Sequence, residues 1–317
     1  MPTRSDAPRT SRSSRAVPDA MNGLRTWAMA ARPRTLPAAL APVLVGSAAA
    51  WAAFADPSAS FGWGRFVAAM VGAIFIQIGT NLANDYSDAK RGADTVDRLG
   101  PVRVTAAGLV APRRVLYATW LAFGVAALAG LYLVIEVGPE ILAIGILSIA
   151  AGVLYTGGPK PYGYEGLGEV FVFVFFGLVA VNGSYYVQLE DLQALPVLLS
   201  IPIGLLSAAI LVVNNVRDID TDRRAGKRTL AVRMGRERSR SLYVAMIALA
   251  YVLLPIALIG GNGSAWGLLG LLSLPLAAAP VRAVRERTDG PALNGALAGT
   301  GALLGAYALL VAVGLLI

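Results

Sequence analysis

The chain has 317 residues, of which 56% are hydrophobic and 15% charged, a composition too apolar for an ordinary soluble domain. It has no cysteine and no histidine, which excludes thiol nucleophiles, disulfides, imidazole bases and histidine-bearing zinc or haem sites; Asp, Glu, Lys, Arg, Tyr and Asn remain, with a hard cation as the natural metal. The formal charge of +8 comes from Lys and Arg grouped between apolar runs, the pattern of a membrane protein with basic cytoplasmic loops, so no nucleic acid is expected as a partner.

Residues 1–22 are rich in Arg, Ser, Thr and Pro and contain no apolar run. They read as a disordered basic tail rather than a signal peptide, ahead of one membrane-embedded domain over 23–317. From Ala31-Arg32-Pro33-Arg34-Thr35 onward, nine apolar runs have the roughly 17 to 25 residues needed to cross a bilayer: 36–54, 63–83, 115–136, 139–156, 166–187, 195–214, 240–260, 264–282 and 296–316. The expected fold is an all-α integral membrane bundle of nine transmembrane helices. The stretches 84–114, 157–165, 215–239 and 283–295 are basic, whereas the alternate connections carry acids such as Asp56, Glu190 and Asp191. This alternation predicts a plasma-membrane protein with a cytoplasmic N-terminus, cytoplasmic basic loops and an outside C-terminus.

Two polar stretches adjoin these runs: Asn81 to Asp88, continuing to Asp94, and Asn214 to Asp222. In each, an Asn precedes an Asp by four residues, Asn84 to Asp88 and Asn214 to Asp218. Spacings of three and four place Asn84, Asp85 and Asp88 on one helical face, and Asn214, Asp218 and Asp222 on another. Carboxylates at the C-terminal ends of helices oppose the macrodipole, and a bound cation relieves that conflict; oxygen ligands favour magnesium. Arg217, Lys227 and Arg228 beside the second stretch suit a magnesium-bound polyanion. Tyr155-Thr156-Gly157-Gly158-Pro159-Lys160 reads either as a turn with interfacial tyrosines or as a loop whose Lys160 reaches a phosphate. Asn182, Ser184, Tyr185, Tyr186 and Gln188 read as outer-interface anchors in preference to cavity lining.

The run 31–35, Asn84-Asp85-Tyr86-x-Asp88 with Gly92 and Asp94, Asp97-Arg98-x-Gly100-Pro101-x-Arg103, Tyr155-Thr156-Gly157-Gly158-Pro159, and Asn214-Asn215-x-Arg217-Asp218-x3-Asp222 with Gly226-Lys227-x-Thr229-Leu230-Ala231 together resemble the UbiA superfamily of intramembrane prenyltransferases, in particular its dihydroxynaphthoate branch. The likeness spans roughly residues 25 to 317. Five residues separate Asp88 from Asp94, where the family often has three.

The resemblance implies a nine-helix bundle in which magnesium holds a polyprenyl diphosphate. The diphosphate ionises, and an aromatic carbon of 1,4-dihydroxy-2-naphthoate attacks with loss of carbon dioxide, giving a prenylated naphthalenediol, the hydroquinone form of a demethylmenaquinone. Another acceptor, 4-hydroxybenzoate or homogentisate, is the alternative within the superfamily, and an ion-coupled transporter is the alternative outside it. On this resemblance Asn84, Asp88, Asp94, Asp218 and Asp222 ligate the metal. Asp88, Asp218, Arg217 and Lys227 carry catalysis, while Asn84, Asp85, Arg103, Tyr155, Lys160 and Asn214 bind the magnesium-diphosphate, and the apolar helices and membrane lipid surround the prenyl tail.

Overall fold

The computed structural model describes residues 23–93 and 99–317, which form helices and turns with no strand among them. The helices are α1 (Gly23–Ala31), α2 (Leu36–Ala53), α3 (Trp63–Lys90), α4 (Pro112–Glu136), α5 (Glu140–Leu154), α6 (Gly168–Leu189), α7 (Ala194–Arg224), α8 (Arg236–Gly260), α9 (Ala265–Glu286) and α10 (Gly290–Leu316). Asp94 and the tail 1–22 lie outside the described residues.

Among the described residues, eight helical segments are long and apolar enough to cross a membrane, α1 and α2 counting as one. The ninth expected span, α5, is apolar but has 15 residues. At 1.5 Å per residue it is about 22 Å long, short of a hydrocarbon core of about 30 Å. Residues 155 and 156, expected to extend it, leave the helix at the Gly157-Gly158-Pro159 turn.

The larger departure from expectation is that two helices do not stop where the polarity begins. α3 runs 28 residues to Lys90 and α7 runs 31 residues to Arg224, so both Asp-rich stretches are helical turns projecting past the apolar zone. Pro112 lies in the first turn of α4, where its missing N–H costs nothing. Asp289 caps α10 by accepting from the Ala292 amide at 3.0 Å.

α7 is the centre of the bundle: 72% of its apolar window is buried, against 28% for α4 and for α6. It packs on α2, α6, α8 and α10. Small residues permit close backbone approach where no hydrophobic force drives helices together in lipid. A Cβ on Gly46 of α2 would overlap the Val181 carbonyl of α6, and one on Gly177 would come 2.7 Å from Gly204 Cα of α7. Residues 173–179 of α6 form a π-helical segment at that second contact.

The far end of the bundle is tied by polar contacts. Arg65 donates to the carbonyls of Glu136 (2.7 Å) and Val187 (3.2 Å) and pairs with Glu190 (3.0 Å). Gln188 brackets the Gly62 backbone at 2.9 and 3.2 Å. Gln188 thus ties the end of the bundle away from the Asp-rich stretches, whereas Ser184 lines the internal cavity.

Candidate active site

A cavity of about 570 Å³ lies between α2, α3, α4, α5, α6 and α7. One end is polar. Asn84 and Asp88 reach it from α3, and Asn214, Asp218 and Asp222 reach it from α7. The four-residue spacing on two helices therefore gathers four of the expected metal ligands, with Asn214, at one mouth, because residues one turn apart share a helical face. The other end is walled by Gly72, Ile76, Leu131, Ile149 and Val179, with no charged side chain among them.

Asp88 is 1% exposed and is held by several partners at the mouth. Arg103 Nη2 donates to its Oδ2 at 3.0 Å, the Tyr164 hydroxyl donates to its Oδ1, and Lys227 Nζ stands 3.7 Å from Oδ1. Lys227 also lies 4.6 Å from the centre of the Tyr164 ring, within cation–π range. Asn84 Oδ1 accepts from Thr156 Oγ1 at 2.8 Å. Tyr155 lines the same wall, where burial, followed by the nearby Glu169 carboxylate, pushes its phenol well above the ordinary value. Burial raises Tyr162 likewise, so both remain neutral hydroxyls near neutral pH. Tyr155, Tyr162, Phe171 and Phe175 form a ladder of rings with centroids 5.5, 3.9 and 6.1 Å apart, all four facing the cavity.

Three expected site residues are placed elsewhere. Asp85 does not line the cavity; its carboxylate accepts from the amides of Val104 (3.1 Å) and Thr105 (2.9 Å). One residue further along α3 than Asn84, it is rotated by about 100° off the cavity face. Arg217 does not line the cavity either. It is fully buried behind Asp218 and chelates it, with Nε to Oδ1 at 2.8 Å and Nη2 to Oδ2 at 2.6 Å. Lys160 is exposed on its turn and lies outside the cavity wall.

Other residues join the site beyond those expected to bind the metal or the diphosphate. Gln77 and Asn81 precede Asn84 by seven and three residues, so they continue its helical face, a spacing legible in the sequence. Both give their amide nitrogens to Thr35 Oγ1, at 3.1 and 3.2 Å. Arg32, in the left-handed region at φ 54°, lines the cavity beside them. Tyr164 carried no spacing signal of its own.

Among the described residues no three carboxylates come close enough to hold an ion by themselves. Magnesium commonly takes one or two carboxylates and completes its shell with phosphate oxygens and water. Buried Asp88, Asp218 and Asp222 with the Asn84 amide, split between two helices and flanked by Lys227 and Arg103, fit that habit and leave room for a shared polyanion.

The chain is similar to the 1,4-dihydroxy-2-naphthoate octaprenyltransferase of Mycobacterium tuberculosis, 45% identical over 269 residues that cover 84% of this chain and 89% of that one. The enzyme of the same name from Escherichia coli is 38% identical over 84% of this chain and 86% of its own. Among solved structures, a UbiA homolog from Archaeoglobus fulgidus bound to GPP and Mg2+ superposes with a TM-score of 0.60 at 14% identity, covering 90% of this chain and 99% of that one. The apo UbiA homolog from Aeropyrum pernix K1 gives a TM-score of 0.61 at 17% identity, covering 88% and 95%. The UbiA prenyltransferase family profile matches residues 39–297. By fold, motif geometry and sequence, this multi-pass membrane chain belongs to the UbiA prenyltransferase family.

Proposed function

We propose that the chain transfers a polyprenyl group from polyprenyl diphosphate to 1,4-dihydroxy-2-naphthoate, releasing diphosphate and carbon dioxide, with magnesium as cofactor and with the active site at the cytoplasmic face of the plasma membrane. The observation that carries this reading is the convergence of two Asp-bearing helix ends on the polar mouth of an otherwise apolar cavity. The relatives supply the acceptor: the naphthoate enzymes are 38% and 45% identical over most of both chains. The carboxylates lining the cavity all lie at this one end, whereas ion-coupled transport calls for acids along both access routes.

Asn84, Asp88, Asp218 and Asp222 would hold the ion, which would supply neutralisation of charge on the diphosphate oxygens. Lys227 and Arg103, both within 4 Å of Asp88, would meet the charge growing on the leaving diphosphate. The electron pair of the prenyl C–O bond departs with diphosphate. Aromatic faces at Tyr155, Tyr162, Phe171 and Phe175 stabilise the allylic cation and keep water from it. The ring carbon bearing the carboxylate supplies the pair for the new C–C bond, and the pair of its bond to the carboxylate returns to the ring as carbon dioxide leaves. Arg217 acts behind Asp218 as a positioning residue.

The test is purified protein with magnesium and a long prenyl diphosphate, offered dihydroxynaphthoate, 4-hydroxybenzoate or homogentisate in parallel. Prenylated product with the first acceptor alone is expected. Turnover of either benzenoid acceptor at an equal rate would overturn the naphthoate assignment.

A further inference from the structure

Glu169 is a buried carboxylate that the chemistry above does not use. It stands at the start of α6, is 4% exposed, and does not line the cavity. Its Oε1 accepts from Asn215 Nδ2 at 2.8 Å, while its Oε2 has no hydrogen-bond partner among the described residues. A carboxylate oxygen left without a partner in such a place is costly unless a task requires it. Asn215, next to Asn214 on α7, does line the cavity. In this bond the Asn215 nitrogen faces Glu169, and its amide oxygen is left for the cavity. The backbone leading into Glu169 is held in place: a Cβ on Gly168 would sit 3.0 Å from Leu211 and 3.3 Å from the Tyr155 ring.

The acceptor proposed above carries two hydroxyl donors on an apolar ring. Leu211, one turn before Asn215, and Tyr155 opposite it offer apolar surface at the same wall. As the ring carbon attacks, positive charge spreads onto a ring hydroxyl and makes its proton more acidic. An acceptor placed there binds the transition state more strongly than the ground state, and a carboxylate behind an amide adds electron density to the amide oxygen.

Resting on that acceptor assignment, we infer that Asn215 Oδ1 accepts a hydroxyl of the aromatic acceptor and that Glu169 is the positioning residue that orients the Asn215 amide. The pair sets acceptor recognition separately from the diphosphate residues. Glu169→Gln retains an oxygen for the Asn215 nitrogen without the charge; Glu169→Leu retains neither.

The experiment is steady-state kinetics of wild type, Asn215→Ala, Glu169→Gln and Glu169→Leu, with each substrate varied in turn and thermal unfolding recorded in parallel. Inhibition by 1-hydroxy-2-naphthoate and 4-hydroxy-2-naphthoate is measured on each protein. Asn215→Ala should lower kcat/KM for the acceptor by about a hundredfold, the scale of one lost transition-state hydrogen bond. Glu169→Leu should lower it by about tenfold or more, as for groups that orient a primary contact, with Glu169→Gln recovering part. The KM for prenyl diphosphate should stay within about twofold. One monohydroxy compound should bind wild type more weakly than the other, and Asn215→Ala should erase that difference. A preserved difference in folded Asn215→Ala, or an equal rise of both KM values in Glu169→Gln, overturns the inference while leaving the reaction assignment intact. Wild type that fails to prenylate dihydroxynaphthoate overturns both.

Discussion

Arg217 grips the carboxylate of its own neighbour Asp218 through two hydrogen bonds of 2.8 and 2.6 Å, and two further N–H donors go to Asn294 and Asn214, both at 2.7 Å. The guanidinium is committed to protein oxygens and fixes Asp218 in one rotamer at the cavity mouth. Lysine cannot reproduce a planar fork. Arg217→Lys should therefore lower kcat while preserving the fold. Arg217→Met, which leaves Asp218 buried without its partner, should cost about 3–5 kcal/mol of stability. Thermal unfolding in detergent together with kinetics checks both, and unaltered kcat in folded Arg217→Lys would remove the positioning role.

Asp85 and Asp88, three residues apart on α3, should separate cleanly. Asp88→Asn is expected to abolish turnover with the protein folded, since a cavity carboxylate is lost. Asp85→Asn keeps one acceptor oxygen but loses one of the two charge-assisted bonds to Val104 and Thr105, and should destabilise by about 1–3 kcal/mol while the dependence on magnesium is unchanged. Magnesium titrations of activity in both variants decide the matter. A raised magnesium requirement in Asp85→Asn would return that residue to the metal site.

Lys227→Met should slow turnover by roughly a hundredfold or more, the effect of removing one electrostatic stabiliser from a water-poor site. Lys227→Arg should recover part of it, because the charge remains while the point-like ammonium is lost. Donor kinetics at saturating magnesium give the readout. A raised Michaelis constant with unchanged kcat would make Lys227 a docking residue.

Gly46→Val tests the bundle rather than the chemistry. Its side chain would collide with the Val181 carbonyl and crowd Ser184, whose Cβ would lie 3.0 Å from the new Cβ. Forcing α2 and α6 apart should cost about 1–3 kcal/mol, visible as a lower Tm. An unchanged Tm would mean that this helix pair yields more readily than its packing indicates.

Reporter fusions after residue 228 and at residue 317 test orientation. From the charge of the basic connections, the first is expected in the cytoplasm and the second outside. A cytoplasmic reporter at residue 317 would show that one apolar run does not cross.

The long apolar runs and the pairing of the two Asp-rich stretches were legible because hydrophobic length and four-residue spacing act locally. Termination of α3 and α7 was not. A polar stretch after an apolar run resembles a helix end, yet here Arg103 and the loop amides meet the carboxylates of α3 and allow the helix to continue to Lys90. The direction of Arg217 was also hidden. Residues adjacent on a helix point about 100° apart, so nothing in its position announces a fork closed on Asp218. Lys160 looked like a phosphate ligand from its glycine-rich setting, but a Gly-Gly-Pro turn alone does not decide which way the next side chain faces.

The π-helical segment at residues 173–179 has a consequence for comparing relatives residue by residue. A wider turn takes up roughly one residue more than an α-helical turn does. A relative whose corresponding helix is α-helical throughout would reach the outer face one residue sooner. Correspondences that hold at Glu169 would then slip by one position at Tyr185 and Gln188, and an alignment anchored only on the carboxylate end would pair the wrong side chains across the outer half of α6.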